Sequence, residues 1–223
     1  MVVFSGGEME VSEASDVEAS AREPRRLLSL RSESGLDLDF EALCPPAEFG
    51  EDEPVARTGG TVGHEQLCRV TGVVTYDGRS HEVSGAGQRG HAQREPDWAR
   101  IEATRALSAW LEDGTGLACV AVRPAGAGDH GAEARWASLL APAGALQVDD
   151  PRISTTYDQD GFQRSVGLEL WVGEDDIYPR RATGVVVCGG SLDLGPRRLD
   201  CSFVHWRMDG RSGVGRYDVL RRA

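Results

Sequence analysis

Apolar and polar residues alternate with a period of two in many short segments of the chain, the pattern of strands that bury one face. Residues 36–42 are the first clear case. Residues 67–76 are rich in valine, threonine and tyrosine, and the dipeptide Asp77-Gly78, which favours a tight hairpin turn, separates them from residues 79–83. The alternation therefore predicts an antiparallel sheet that begins before the middle of the chain.

The same pattern continues in the C-terminal half, where Asp-Gly and Gly-Pro dipeptides separate further strand-like segments. These predicted strands are residues 116–123, 163–172, 182–188 and 199–208. In residues 163–172, Leu168 and Leu170 share one face of the strand while Glu169 and Trp171 share the other. Large side chains on both faces are typical of a strand whose inner face lines a barrel interior. The sequence predicts a mainly β protein with little helix.

Composition is that of a globular protein. The chain has 223 residues, of which 40% are hydrophobic and 27% are charged, and a formal net charge of −12. Because the chain is acidic, we expect it to bind neither nucleic acid nor anionic lipid through charge. No apolar run approaches the roughly 20 residues of a membrane span, so we predict no membrane span.

Location and cofactor chemistry follow from the basic residues and the cysteines. The chain contains no lysine, which excludes mechanisms that depend on a lysine amine. Its five cysteines lack the spacing of metal ligands, and the first residues do not resemble a signal peptide. We therefore expect a cytoplasmic protein with reduced thiols, without a metal and without a cofactor.

One segment allows an alternative fold. The pattern Gly85-x-Gly87-x-x-Gly90 matches the glycines of a dinucleotide-binding loop, and residues 97–111 can be drawn as a following helix. This alternative predicts an NADP-dependent oxidoreductase. Pro96 argues against it, because proline would interrupt a helix that has to begin at the last glycine.

The same segment, extended to Trp98, resembles the motif of the hydroxyneurosporene synthase family of carotenoid hydratases and of its AttH-like lipocalin-type relatives. The family pattern is close to G-x-G-x-R-x-H-x-W-G-x-R-D-W. The residues that match it are Gly85, Gly87, Arg89, His91, Asp97 and Trp98, whereas Gln93, Arg94 and Pro96 depart from it. The resemblance covers about residues 60–223 and implies an antiparallel lipocalin-like β-barrel.

Family members carry two such barrels in tandem. The resemblance therefore implies that residues 1–60 are strands of an incomplete first barrel plus a linker, and that residues 61–223 form the lipocalin-like barrel. Residues 48–63, with three consecutive acids and Gly59-Gly60, are the predicted linker. Unpaired strand edges of the partial barrel predict assembly into homo-oligomers.

The resemblance also implies a hydrophobic small-molecule ligand, isoprenoid- or polyene-like, held in the barrel cavity, and an acid-catalysed hydration or cyclisation of a C=C bond. His91 and Asp97 are the expected catalytic pair, because a carboxyl group in an apolar pocket retains its proton and a histidine can pass protons to it. The expected ligand-binding residues are Arg89, Trp98, Trp110, Tyr157, Glu169, Trp171, His205 and Trp206. A non-catalytic lipocalin-like binding protein is the alternative function.

Overall fold

The computed structural model describes the backbone of residues 2–5, 8–11, 16–22, 25–31, 35–173 and 177–223, and the side chains of residues 35–173 and 177–223. The first eight strands are β1 (Val2–Ser5), β2 (Glu8–Val11), β3 (Asp16–Arg22), β4 (Arg25–Arg31), β5 (Gly35–Ala42), β6 (Ala47–Phe49), β7 (Val62–Tyr76) and β8 (Arg79–Gln93). The other nine are β9 (Ile101–Leu111), β10 (Gly116–Pro124), β11 (Ala134–Ala141), β12 (Gly144–Gln147), β13 (Asp150–Tyr157), β14 (Gln163–Trp171), β15 (Arg180–Asp193), β16 (Arg197–Met208) and β17 (Arg211–Arg222). Helical structure in the described ranges is limited to α1 (Pro54–Gly59) and one 3-10 turn (His130–Ala132).

The strands form two large antiparallel sheets. The first sheet has the order β3-β4-β5-β7-β6, with β8 paired to β7. The second has nine strands in the order β12-β11-β10-β9-β17-β16-β15-β14-β13. β1 and β2 form a separate hairpin. The predicted mainly β, antiparallel architecture is confirmed, and the polypeptide passes from one sheet to the other over residues 94–100.

The hairpin predicted at Asp77-Gly78 is present and longer than expected. β7 and β8 pair from Tyr76 opposite Arg79 to Val62 opposite Gln93. Asp77 and Gly78 have φ angles of 49° and 67°, as a two-residue hairpin turn requires. The three glycines of the dinucleotide-like pattern all lie inside β8, so no helix begins after them to bind a phosphate. Residues 101–111 form β9 rather than a helix, which removes the structural basis of the oxidoreductase alternative.

The predicted linker contains structure of its own. Residues 54–59 form α1, in which Pro54 occupies the start and Gly60, at φ 78°, ends the helix in the left-handed conformation. Val55 and Ala56 are buried, and Val55 belongs to a cluster with Val122 of β10. The turn of helix forms because it covers apolar surface that strands β10 and β11 present on their outer face.

The nine-stranded sheet curls until β13 approaches β11. The backbone N–H of Val148, just before β13, donates to the carbonyl of Ala137 at 3.0 Å. Inward-facing side chains from nearly every strand then meet in one core, among them Leu107, Leu168 and Trp206. Because side chains alternate along a strand, the neighbouring residues on β9 and β10 face outward.

This outer face of β9 and β10 packs against the first sheet. A second core forms there around Leu67 of β7, Ala118 of β10 and Trp136 of β11. Strands β9 and β10 are therefore covered on both sides, which explains why so many of their residues are buried. No helix in the described part of the chain is long and apolar enough to cross a membrane.

Candidate functional site

The expected catalytic pair lies on exposed surfaces. His91 is exposed on β8, and its ring centroid is 5.6 Å from that of His64, which is opposite it on β7. Asp97 is exposed in the connection to β9, where its backbone N–H donates to the carbonyl of Gly59 at 3.1 Å. Among the described residues no hydrogen bond joins the side chains of His91 and Asp97.

Arg89 and Trp98 have mainly structural contacts. Arg89 Nε donates to Oε1 of the buried Gln66 at 2.6 Å, and Gln66 in turn donates to the carbonyl of Cys44. The guanidinium of Arg197 lies 4.7 Å from the centre of the Trp98 ring and donates to the Trp98 carbonyl. These contacts anchor the β8 strand and the connection that follows it.

Five other expected ligand-binding residues are distributed over the nine-stranded sheet. Trp206 is fully buried in its core, whereas His205 is exposed on the outer face of β16. Tyr157 stacks on His130, Glu169 pairs with Arg181, and Trp171 lies beneath the guanidinium of Arg152. The structure does not gather these five side chains into one site.

Trp110 does line a cavity. A space of about 330 Å³ lies between the β7–β8 hairpin and the outer face of β9, β10 and β17, and we call it the acid cavity. Its polar lining residues are Glu65, Gln88, Ser108, Trp110, Arg216 and Asp218. Two carboxyl groups on different sheets thus face a single space.

Strand geometry places Glu65 in this cavity. Glu65 and Leu67 are two residues apart on β7, so both face the nine-stranded sheet. Gly90 lies opposite Glu65 on β8, and a Cβ atom there would be 2.6 Å from Glu65 Oε1. Glycine at this position leaves the room that the carboxyl group occupies.

A chain of hydrogen bonds fixes the orientation of the Glu65 carboxyl. Trp110 Nε1 donates to Gln88 Oε1 at 3.3 Å, and Gln88 Nε2 donates to Glu65 Oε2 at 2.7 Å. The indole therefore determines which end of the Gln88 amide points at Glu65. One oxygen of Glu65 is held, and the other is left to carry a proton.

The two carboxyl groups are biased towards their protonated forms. Burial raises the pKa of Glu65, and the hydrogen bond from Gln88 and the charge of Arg216 only partly oppose this effect. Burial also raises the pKa of Asp218, against the opposing influence of Arg216. The thiol of Cys201 interacts with Asp218, and burial raises its pKa to about 12, so Cys201 stays a neutral thiol. The cavity can therefore present a carboxylic acid, the group that donates a proton.

A second, smaller space adjoins the first. The apolar cavity, of about 190 Å³, lies under α1 and the connection between β8 and β9. Its lining includes Phe49, Val55, Pro96, Trp98, Ile101 and Val122. Trp98 is the expected ligand-binding residue that the structure places here.

A family model covers almost the whole chain. The model described as "Domain of unknown function (DUF7064)" matches residues 5–223. The chain belongs to the DUF7064 family. Among curated proteins none matches this DUF7064 chain.

Solved structures share its fold at low sequence identity. An AttH-like protein from Nitrosomonas europaea has a TM-score of 0.63 and 16% identity, over 92% of this chain and 67% of that one. Kievitone hydratase from Nectria haematococca has a TM-score of 0.61 and 10% identity, over 97% of this chain and 70% of that one. CghA, solved with Sch210972, has a TM-score of 0.61 and 11% identity, over 96% of this chain and 73% of that one. These similarities confirm the lipocalin-like barrel fold, which AttH-like and hydratase proteins share.

The sequence also contained residues that its interpretation did not select. Glu65 and Asp218 are acidic residues within strands, each flanked by residues that the structure buries, Gln66 and Tyr217 among them. An acidic residue inside an apolar strand is a signal, because loop acids are usually solvated. The family motif points instead to Asp97, which the structure places in the exposed connection between β8 and β9.

Proposed function

We propose that the protein binds a hydrophobic small molecule in the acid cavity and adds water to, or cyclises, a C=C bond of that molecule. The observation that carries this proposal is the Glu65 carboxyl, which is partly buried, oriented by Gln88 and facing a cavity large enough for part of a ligand. An acid with a raised pKa is suited to protonate carbon at near-neutral pH.

The proposed chemistry balances with water as the only co-reactant. Glu65 transfers its proton to one alkene carbon, the π pair forms the new C–H bond, and the neighbouring carbon becomes a cation. A water molecule attacks this cation, and its surplus proton returns to the Glu65 carboxylate. In cyclisation, the π pair of a second alkene in the same molecule forms a C–C bond to this cation, and the new cation loses a proton from a neighbouring carbon to the Glu65 carboxylate. The indole face of Trp110 can stabilise the cation by about 0.5–2 kcal/mol.

Structural relatives support this class of reaction. One protein with the same fold is named as a hydratase, and another was solved with a small molecule. Fold similarity at this level does not specify a substrate, so the proposal depends on the residues of the acid cavity. The motif pair His91 and Asp97 is the alternative to Glu65 as the proton donor of the same reaction.

Farnesoic acid, an isoprenoid acid with several C=C bonds, is a suitable probe. Incubation of the full chain with it in deuterated water reports protonation as deuterium bound to carbon, and hydration as the added mass of water. We expect Glu65→Gln to retain binding and lose deuterium incorporation. We expect the double variant His91→Ala/Asp97→Asn to keep both.

The opposite result would assign the donor to His91 and Asp97. Binding without incorporation in the parent and in every variant would favour the non-catalytic binding protein. Native mass spectrometry of the purified chain, which detects a co-purifying ligand, supplies the next probe in that case.

A further inference from the structure

We propose that the acid cavity and the apolar cavity form one groove, and that its ligand has two parts: an apolar chain, and a hydrogen-bond-accepting oxygen at the reacting end. This inference rests on the proposed function and names its substrate class.

The two cavities share part of their floor. Ala106 of β9 and Val120 of β10 line both of them, and these residues are direct cross-strand partners. Ala106 is exposed, so its small side chain leaves the passage between the cavities open. The outer face of β9 and β10 is thus the continuous floor of a single groove.

The lining residues change from apolar to charged along this floor. At the far end Phe49, Ile101 and Val122 are apolar, and the Trp98 ring faces the same space. A ligand segment there gains from leaving water and has few polar partners to satisfy. The far end therefore fits a hydrocarbon chain.

The near end offers donors to an oxygen atom. Arg216 lines the acid cavity, and only its Nη2 is paired with Asp218. Its side chain is 55% exposed, whereas that of Asp218 is 14% exposed. Within the described residues, Nε and Nη1 of Arg216 have no partner, so they can donate to a carbonyl or carboxylate oxygen of a ligand.

The spacing gives the length of the ligand. Ser108 lines the acid cavity and Thr104 lines the apolar one, four residues apart on β9. At about 3.4 Å per residue these two positions are roughly 14 Å apart. A molecule with only a small polar head would occupy one end and leave the other empty.

Calorimetric binding tests this inference separately from catalysis. The probes are farnesoic acid, which has both parts, farnesene, which lacks the oxygen, and crotonic acid, which lacks the chain. Ala106→Trp should obstruct the floor and weaken farnesoic acid binding by about tenfold while crotonic acid binding is retained. Thr183→Trp, at an exposed strand position on β15 outside the groove, is the matched control and should leave binding unchanged.

The polar end has its own variants. In the parent, farnesoic acid should bind about tenfold more tightly than farnesene. Arg216→Met should reduce this preference and Arg216→Lys should restore part of it, with thermal unfolding used to confirm that each variant folds.

Unchanged farnesoic acid binding in Ala106→Trp would overturn the continuous groove. Equal binding of farnesoic acid and farnesene in the parent would overturn the polar end. Absence of deuterium incorporation in the parent, with these binding patterns intact, would contradict only the proposed function.

Discussion

At the scale of single residues, burial of Glu65 is the feature from which most of the chemistry follows. Its carboxyl is held on one oxygen by Gln88, and its pKa is raised because ionisation in a buried site is unfavourable. The raised pKa that suits Glu65 to donate a proton also means that its ionisation at higher pH destabilises the folded state. Function and stability are linked here through one proton.

The sign of this linkage gives the first prediction. The folded protein binds the Glu65 proton more tightly than the unfolded chain, whose carboxyl has its ordinary pKa of 4.5. The contribution of Glu65 to the free energy of unfolding should therefore be greatest below that value and should fall as the pH rises through the raised pKa. Glu65→Gln should flatten this decline, and urea unfolding from acidic to neutral pH measures it.

The control for this prediction is Glu169→Gln, at a carboxylate on the outer face of β14 that pairs with Arg181. We expect this change to cost less than about 1 kcal/mol of unfolding free energy, because the pair is largely solvent-exposed. Asp218 contributes a decline of the same sign, so the slope of Glu65→Gln should be reduced and not abolished. An unchanged slope in Glu65→Gln would contradict the assigned burial of this group.

At the scale of elements, the β7–β8 hairpin decides whether the site exists. The Asp77-Gly78 turn sets its register, and the register places Gln88 opposite Leu67 and Gly90 opposite Glu65. A shift of one residue would turn Glu65 and Gln88 to opposite faces of their strands. The turn residues, far along the hairpin from the cavity, thus determine its chemistry.

The glycines of β8 supply the second prediction, at the scale of this hairpin. A Cβ atom at Gly87 would lie 2.5 Å from Val70 Cγ2, whereas one at Gly85 would have nothing within 4 Å. Gly87→Ala should therefore destabilise the protein by about 1–3 kcal/mol in chemical denaturation. Gly85→Ala, the same change two residues away, should have little effect.

The steric cause can be checked with a double variant. Adding Val70→Ala to Gly87→Ala removes the atom that clashes, so the combined loss should be smaller than the sum of the separate losses. Additive losses would show that the two side chains do not compete for the same space.

At the scale of the whole molecule, a buried polar network closes one end of the curled sheet. Arg105 of β9 pairs with Glu133, which precedes β11, and both side chains are 1% exposed. Arg105 Nη1 also donates to Thr155 of β13, and Thr155 is hydrogen-bonded to Tyr217 of β17 at 2.6 Å. These contacts join three strands, β9, β13 and β17, and the segment just before β11, which favours the curled shape over an open sheet.

The third prediction concerns this network. Glu133→Ala leaves the Arg105 guanidinium buried without its carboxylate, which should cost about 3–5 kcal/mol of unfolding free energy. Glu169→Ala removes an ion pair whose side chains are 40% and 72% exposed, and this should cost less than about 1 kcal/mol. Urea unfolding of the two variants compares them directly. A loss in Glu133→Ala as small as that in Glu169→Ala would show that the network does not hold the sheet closed.

Much of the fold was predictable because its determinants are local. Residues 36–42 and the segments around Asp77-Gly78 form strands where period-two alternation and turn dipeptides predicted them. Residues 97–111 were ambiguous, since their pattern allows a helix or a strand, and pairing with β10 and β17 decided for the strand. The turn of helix α1 was not predicted, because its apolar residues have a partner only after β10 and β11 are in place.

The candidate site, like the fold, was predictable from the sequence only in part. The sequence by itself determined the strands and the turns, because alternation and turn chemistry act between residues that are close along the chain. The resemblance of residues 85–98 to a family motif implied the class of barrel. Alternation assigns a side chain to one of two faces, but it does not say which layer will cover that face. Only the tertiary structure placed the first sheet on the outer face of β9, β10 and β17, and so joined Glu65 with Asp218 across one cavity. Residues so far apart in sequence meet only through packing. This packing excludes water from both carboxyl groups, and the loss of hydration raises the pKa of each.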